Sequence, residues 1–188
     1  MDKEKNQEKF MALKKRLPIK TDRLEIDFFQ KDDITPQYIS WLNDPEVTQF
    51  SNQRFTMHSE ASSKKYFREI SSGDSWFLKL IEADSNRTIG TMTVHPNFFH
   101  NVCDLGILIG EKKVYGRGLG TEAWISVLNL VEAAGIFRKI TAGANQLNLG
   151  MEKICSKSGM IPDGERPRQE LVGGVETNIK YYAKYCCF

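Results

Sequence analysis

Histidine and cysteine are scarce in this sequence: among 188 residues there are 3 of the first and 4 of the second. Cys103, Cys155, Cys186 and Cys187 show no metal-ligand spacing, and the last two are adjacent, so no metal site is expected. So few cysteines speak for a reducing compartment rather than a disulfide framework, and a cytoplasmic location is expected. Long apolar runs are missing too. Nothing approaches the roughly 20 residues of a spanning helix, and the stretch from Asp2 to Lys9 is wholly polar, which fits neither a leader nor a membrane span. An excess of one charge is also lacking. The formal net charge is +2, and Lys14-Lys15-Arg16 is the longest basic tract, too short for a nucleic-acid-binding stripe. What is present is ordinary for a globular domain: 40% hydrophobic and 27% charged residues, enough chain to bury a sizeable core.

Along the chain, residues 2 to 16 hold good helix formers with Phe10, Leu13 and Leu17 on one face, and Pro18 ends the run. Residues 1–17 are therefore expected as a helical extension, docked or loose, ahead of a single domain at 18–188. Leu24 to Phe28 alternates as a half-buried strand. A short helix is expected from Thr35-Pro36 to Asn43, and another from Ser59 to about Ser71. Three strand-like runs follow, Trp76 to Glu82, Thr88 to His95 and Val102 to Ile109, separated by turn residues as in an antiparallel meander. Residues 121 to 134 then carry an apolar face at helical spacing. A strand at 139–144, a helix at 148–158 closed by Gly159, and a strand-like tail at 174–185 complete one α+β domain.

The segment Tyr115-Gly116-Arg117-Gly118-Leu119-Gly120-Thr121 opens the helix at 121. Its glycines let several backbone N–H groups point one way, where the helix adds its own unpaired donors and the positive end of its dipole. That combination suits phosphate or pyrophosphate, although a tight strand-to-helix turn would use the same residues. A P-loop requires Lys-Ser/Thr after its last glycine, and Thr121-Glu122 stands there instead. A dinucleotide loop of the Rossmann type would come after the first strand, with an acid about 20 positions on; here the loop is late and the next strand ends in Ala144-Asn145-Gln146. The pyrophosphate arm of coenzyme A is the third owner for such a loop.

Three segments, Asp104 to Gly110, Tyr115 to Ala123 and Asn148 to Met160, resemble the core motifs of the GNAT superfamily of acyl-CoA N-acyltransferases. The loop pattern Q/R-x-x-G-x-G/A is met from Tyr115 to Gly120 except at its first position, where an aromatic residue is common in the branch of ribosomal-protein N-terminal acetyltransferases. Thr21-Asp22-Arg23-Leu24 and Trp41 to Val47 resemble that branch as well. The resemblance implies a central, mixed but mostly antiparallel twisted sheet of about six or seven strands flanked by helices. It implies acetyl-CoA as donor, with the pantetheine arm along Leu108, Ile109 and Gly110. The pyrophosphate would lie on Tyr115, Gly116, Arg117, Gly118, Leu119, Gly120 and Thr121, with Asn148 at the donor or at a water. No metal is implied.

The reaction expected from that resemblance is direct attack of an amine on the thioester, with a backbone N–H near Ile107 to Ile109 polarising the carbonyl. Asp104 is the first candidate for the base and His95 the second, although either residue type is equally at home as an ordinary strand or capping residue. The family's usual tyrosine acid is replaced by Cys155, which could donate a proton or simply pack. The acceptor would meet Trp41, Phe50, Gln53, Arg54, Phe55, His58, Phe98 and Phe99. Of these, Trp41 and Phe50 read better as core, and Gln53, Arg54 and Phe55 as acceptor-binding. The acceptor is expected to be a small-molecule or peptide amine, foremost a polar one such as a nucleotide-linked amino sugar. Acetylation of a protein N-terminus or an aminoglycoside, or a non-catalytic acyl-CoA-binding module, are the alternatives. A homodimer is compatible with the sequence; a nucleic-acid or membrane partner is not expected.

Overall fold

The computed structural model describes residues 3–186. Asp2, where the sequence pattern starts the first helix, and Cys187 lie outside the described residues. The chain runs α1 (Lys3–Ala12), β1 (Ile19–Lys20), β2 (Leu24–Phe28), α2 (Pro36–Leu42), α3 (Pro45–Thr48), α4 (Glu60–Ser71), β3 (Trp76–Glu82), β4 (Arg87–Asn97), β5 (Val102–Ile109), α5 (Leu119–Glu132), β6 (Lys139–Asn145), α6 (Leu149–Lys157), β7 (Ile161–Val172) and β8 (Val175–Tyr185). Local chemistry fixes the helix starts. Thr35 and Ser59 accept hydrogen bonds from the backbone N–H of Tyr38 and Ser62, with Pro36 in the first turn of α2.

One sheet of eight strands holds the molecule, in the order β1-β2-β3-β4-β5-β6-β8-β7. Every neighbouring pair is antiparallel except β5 and β6. The expected count of about six or seven strands falls short by the two-residue β1 and by β7. The β7 strand escapes the sequence pattern for a physical reason. It is an exposed edge, paired on one side only, so it needs no apolar alternation and can carry Pro162, Gly164 and Pro167. The short α3 was also not anticipated.

Strand alternation separates two cores. On one face, α1, α5 and α6 cover Leu78, Met92, Leu105 and Ile140, with Trp124 and Trp76 among the largest buried side chains. Phe10 of α1 is fully buried there, stacked on Trp76 at 4.3 Å and edge-on to Phe137 at 5.6 Å. On the other face, α2 and α4 pack Tyr38, Trp41, Leu42 and Ile70 against Phe29 and Phe77. This second layer stops short of β6, β8 and β7, and that end of the sheet becomes the site.

Candidate functional site

The parallel ladder between β5 and β6 holds only Val102–Asp104 against Lys139–Thr141. Beyond it the strands run on to Ile109 and Asn145 without pairing, which opens a fork in the sheet. Pro96 has no N–H and lies opposite Cys103, so that position is a non-hydrogen-bonded pair of the β4–β5 ladder. By alternation, Ile107 and Ile109 also turn their N–H and C=O groups away from β4 and into the fork. Leu108, by contrast, bonds to β4 and packs its side chain in the second core. The Ile109 carbonyl accepts a hydrogen bond from the Tyr115 hydroxyl at 2.9 Å, fastening the loop to the strand.

Past the fork, β5 ends at buried Gly110, above the face of Trp41, and Val114 leads into the glycine loop. Gly116 and Gly118 adopt φ of +75° and +82°, a left-handed geometry that other residues resist, and Gly118 caps α5. The N-terminus of α5 therefore opens on a groove of about 540 Å³, lined by Val47, Phe50, Ile107 to Ile109, Tyr115, Gly116, Gly118 to Thr121, Asn148, Lys153 and Lys157. That volume lies within the ordinary range for a small-molecule site. Asn148 caps α6 by accepting from the Met151 N–H at 3.0 Å, and it also faces the groove.

Several expected residues are placed differently from the loop. The Arg117 guanidinium turns away from the groove to Glu82, 2.7 Å away and largely buried. Arg54 donates to the Ser51 carbonyl at 2.7 Å and lies 3.5 Å from Glu170, which in turn accepts from the Asn145 amide at 3.2 Å. Its charge is thus answered within the protein. Its guanidinium also covers the exposed ring of Phe55 at 4.3 Å. Gln53 is half-buried, with its carbonyl 3.1 Å from His58 Nε2. Trp41 and Phe98 are core residues, whereas Phe50 is half-buried and lines the groove. Cys155 is fully buried in the main core, where burial pushes its thiol up to about 12.

Asp104 and His95 are cross-strand partners on the face left open beside α2 and α4. Asp104 accepts a hydrogen bond from the Thr141 hydroxyl at 2.7 Å, so three polar side chains meet where the fork begins. Crowding by surrounding protein raises the Asp104 pKa above the usual carboxylate value, against the lowering effects of Thr141 and His95, although the carboxyl still reaches solvent. His95 Nδ1 lies 2.9 Å from the Ser75 hydroxyl. Lys153, Glu46, Val47 and Gln49 line the groove without having been expected there from the sequence, although Glu46 and Val47 belong to the segment that resembles the family branch. The lysines at 153 and 157, one helical turn apart, are the signal that could have found the first.

The model of the GNAT acetyltransferase domain matches residues 23–161. The chain belongs to the GNAT acetyltransferase family, and it is an N-acetyltransferase that uses acetyl-CoA. No curated protein matches it by sequence. Among solved structures, a GNAT-family acetyltransferase from Bacillus anthracis is similar at 19% identity and a TM-score of 0.75, over 89% of this chain and 97% of that one. A ribosomal-protein alpha-N-acetyltransferase in complex with coenzyme A is similar at 11% identity and a TM-score of 0.80, over 90% and 97%. A microcin self-immunity acetyltransferase in complex with acetyl-CoA and AMP follows at 12% identity and 0.74, over 88% and 93%. These likenesses establish the fold. Among the described residues, no cluster of His, Cys, Asp or Glu could hold a metal, and no helix is long and apolar enough to cross a membrane.

Proposed function

We propose that the protein acetylates the primary amine of a small polar acceptor, which approaches the fork from the face that α2 and α4 leave open, with Asp104 as general base. The observation that carries this reading is the meeting of Asp104, His95 and Thr141 at the fork, beside the unpaired backbone of β5. Acetyl-CoA supplies a thioester whose acetyl carbon the amine attacks. The C=O of Ile107 and the N–H of Ile109 suit a pantetheine amide, since they lack strand partners at the fork, and the N–H of Ile107 would donate to the acetyl oxygen. The backbone N–H groups of Gly116 and of Gly118 to Thr121, at the head of α5, suit the pyrophosphate, the Arg117 N–H being donated to the Val114 carbonyl.

An ammonium acceptor must lose a proton before its nitrogen lone pair can form the new C–N bond. Asp104 is suited to take it, because its raised pKa brings the carboxylate closer to the basicity that the task requires. As the C–S bond breaks, the attacking nitrogen gives up its second proton, which passes through water to the departing thiolate. Cys155 has no role in this scheme: it is fully buried in the main core and packed as a neutral thiol. The acetylated amine and free coenzyme A balance the reaction.

The finer acceptor class we infer is an amine that also carries an anionic group, as a nucleotide-linked amino sugar does. Arg54 is committed to Glu170, but Arg166 has no carboxylate within 4.0 Å among the described residues. Its guanidinium lies over the Tyr181 ring at 5.1 Å. Register places Arg166, Tyr181, Thr141 and Asp104 on one face of the sheet. Asp104 on β5 and Arg166 on β7 are three strands apart, at least about 14 Å across the sheet at ~4.8 Å per strand. An acceptor spanning that distance would put its amine at Asp104 and its anion at Arg166.

Thiol release with acetyl-CoA and a panel of nucleotide-linked amino sugars, peptide N-termini, polyamines and aminoglycosides tests the acceptor. Faster turnover of the uncharged or cationic amines would reject the anionic class. Replacing Asp104 by Asn should lower kcat about 10²- to 10⁴-fold and remove the acidic limb of the pH–rate profile. A variant that keeps that limb would eliminate Asp104 as the base.

A further inference from the structure

The groove holds a pair of cations that no carboxylate answers among the described residues. Lys153 and Lys157 are one turn apart on α6, exposed, and both line the groove with the glycine loop. Among the described residues neither has a carboxylate within 4.0 Å, although the structure pairs many other cations. Two like charges at this spacing repel, and they face the N-terminus of α5, where the helix dipole is positive too. Lys157 in the last turn suits the C-terminus of its own helix, but that does not account for Lys153 or for their shared direction. Arg117, the cation within the loop, is withdrawn to Glu82. An anion held in the groove would offset this repulsion.

Lys157 also lines an adjoining recess formed by Thr21, Asp22, Arg23, Gly118, Thr121 and Glu122. In that recess Arg23 and Glu122 form an ion pair, and Lys157 has no carboxylate within 4.0 Å among the described residues, Asp22 included.

We infer that Lys153 and Lys157 hold the 3′-phosphate of the donor's adenosine and make the protein discriminate coenzyme A from its dephospho form. This rests on the placement of the donor pyrophosphate on the glycine loop. Coenzyme A carries three phosphoryl groups. With two of them on the backbone of Gly116 to Thr121, the third, on the ribose, is a separate dianion within reach of a neighbouring wall. The α6 lysines are that wall.

Calorimetric titration of the full chain with coenzyme A and with dephospho-coenzyme A, which differ only in that phosphate, tests the inference without an acceptor. The protein is expected to bind coenzyme A more tightly by about 10- to 100-fold, the scale of charge-assisted contacts to one phosphate. Lys153→Gln and Lys157→Gln should each narrow the gap, and the double variant should close it to about twofold, leaving dephospho-coenzyme A binding as in the parent. Lys65→Gln, on the far helix α4, should change nothing. Equal affinity of the parent protein for the two nucleotides would overturn the inference, as would a double variant that weakens both alike. If neither nucleotide binds, the donor placement on the loop falls first and the inference falls with it.

Discussion

A methyl group added at Gly110 should disrupt the second core, and the size of the effect follows from its surroundings. A Cβ there would lie 2.0 Å from Trp41 Cδ2 and 2.4 Å from both Cε3 and Cγ. Carbon atoms pack at about 3.5–4.0 Å, so the indole must retreat by roughly 1.5 Å. Trp41 is buried among the side chains of α2, α4 and β3, where such a shift meets close packing on every side. Overpacking of this kind costs about 1–3 kcal/mol, with a ceiling near the ~3–5 kcal/mol of losing the tryptophan's packing outright. In urea, with a slope of about 2 kcal/mol/M, the Gly110→Ala midpoint should fall by roughly 0.5–1.5 M at unchanged slope. Trp41→Ala alone should cost about 3–5 kcal/mol. In the Trp41→Ala background the methyl has room, so Gly110→Ala should there be neutral, or stabilising by up to ~1 kcal/mol through the unfolded chain. The double-mutant cycle would therefore show a coupling about equal to the single penalty of Gly110→Ala. Additive penalties, or a Gly110→Ala midpoint equal to that of the parent, would refute the placement of Trp41 over the end of β5.

Two further outcomes are expected. Phe10→Ala removes a fully buried ring that stacks on Trp76, so it should cost about 3–5 kcal/mol and lower Tm by ~10 °C or more in a melting scan; an unchanged Tm would mean that α1 is not part of the core. The acid limb of stability should be steep. Hydrogen bonds from Ser85 and then Arg117 hold Glu82 below its ordinary value, and Lys139 and then Tyr185 do so for Asp163; burial pushes Glu122 up, but Thr21 and Arg23 outweigh it. Depressed folded-state values stabilise above the unfolded carboxylate range near 4 and lose that contribution as pH falls through them, so Tm should drop between about pH 5 and pH 2. A flat Tm across that window would contradict these pairings.

Much of the scaffold was legible because its signals are local. The meander strands at 76–82 and 102–109, and the capped helix starts at Thr35 and Ser59, are written in alternation and capping chemistry within a few residues. The glycine loop was legible for the same reason, since left-handed φ at Gly116 and Gly118 is a demand placed on those residues themselves. Long-range commitments were not. Nothing near Arg117 announces Glu82, which lies 35 positions earlier, and nothing near Arg54 announces Glu170 on an edge strand with no apolar period. Charged residues therefore read as ligand contacts in the sequence and turn out to be bracing between elements.

That bracing has a consequence for how the site keeps its shape. The chain Ser51–Arg54–Glu170–Asn145–Thr177 joins the turn after α3, the β7–β8 hairpin and the wide end of the fork through contacts of 2.7–3.5 Å, with Asn145 and Thr177 buried. Asn145 accepts from the Leu147 N–H and its carbonyl from the Asn148 N–H, so the same residue sets the start of α6. The β6 arm of the fork is thus held from the acceptor side, while Tyr115 and Gly110 hold the β5 arm from the donor side. Opening a sheet leaves backbone donors and acceptors without partners, which is costly unless the gap is kept wide enough for a ligand to supply them. The polar ties do that where apolar packing cannot, because the two arms must remain apart and the space between them must stay free of side chains.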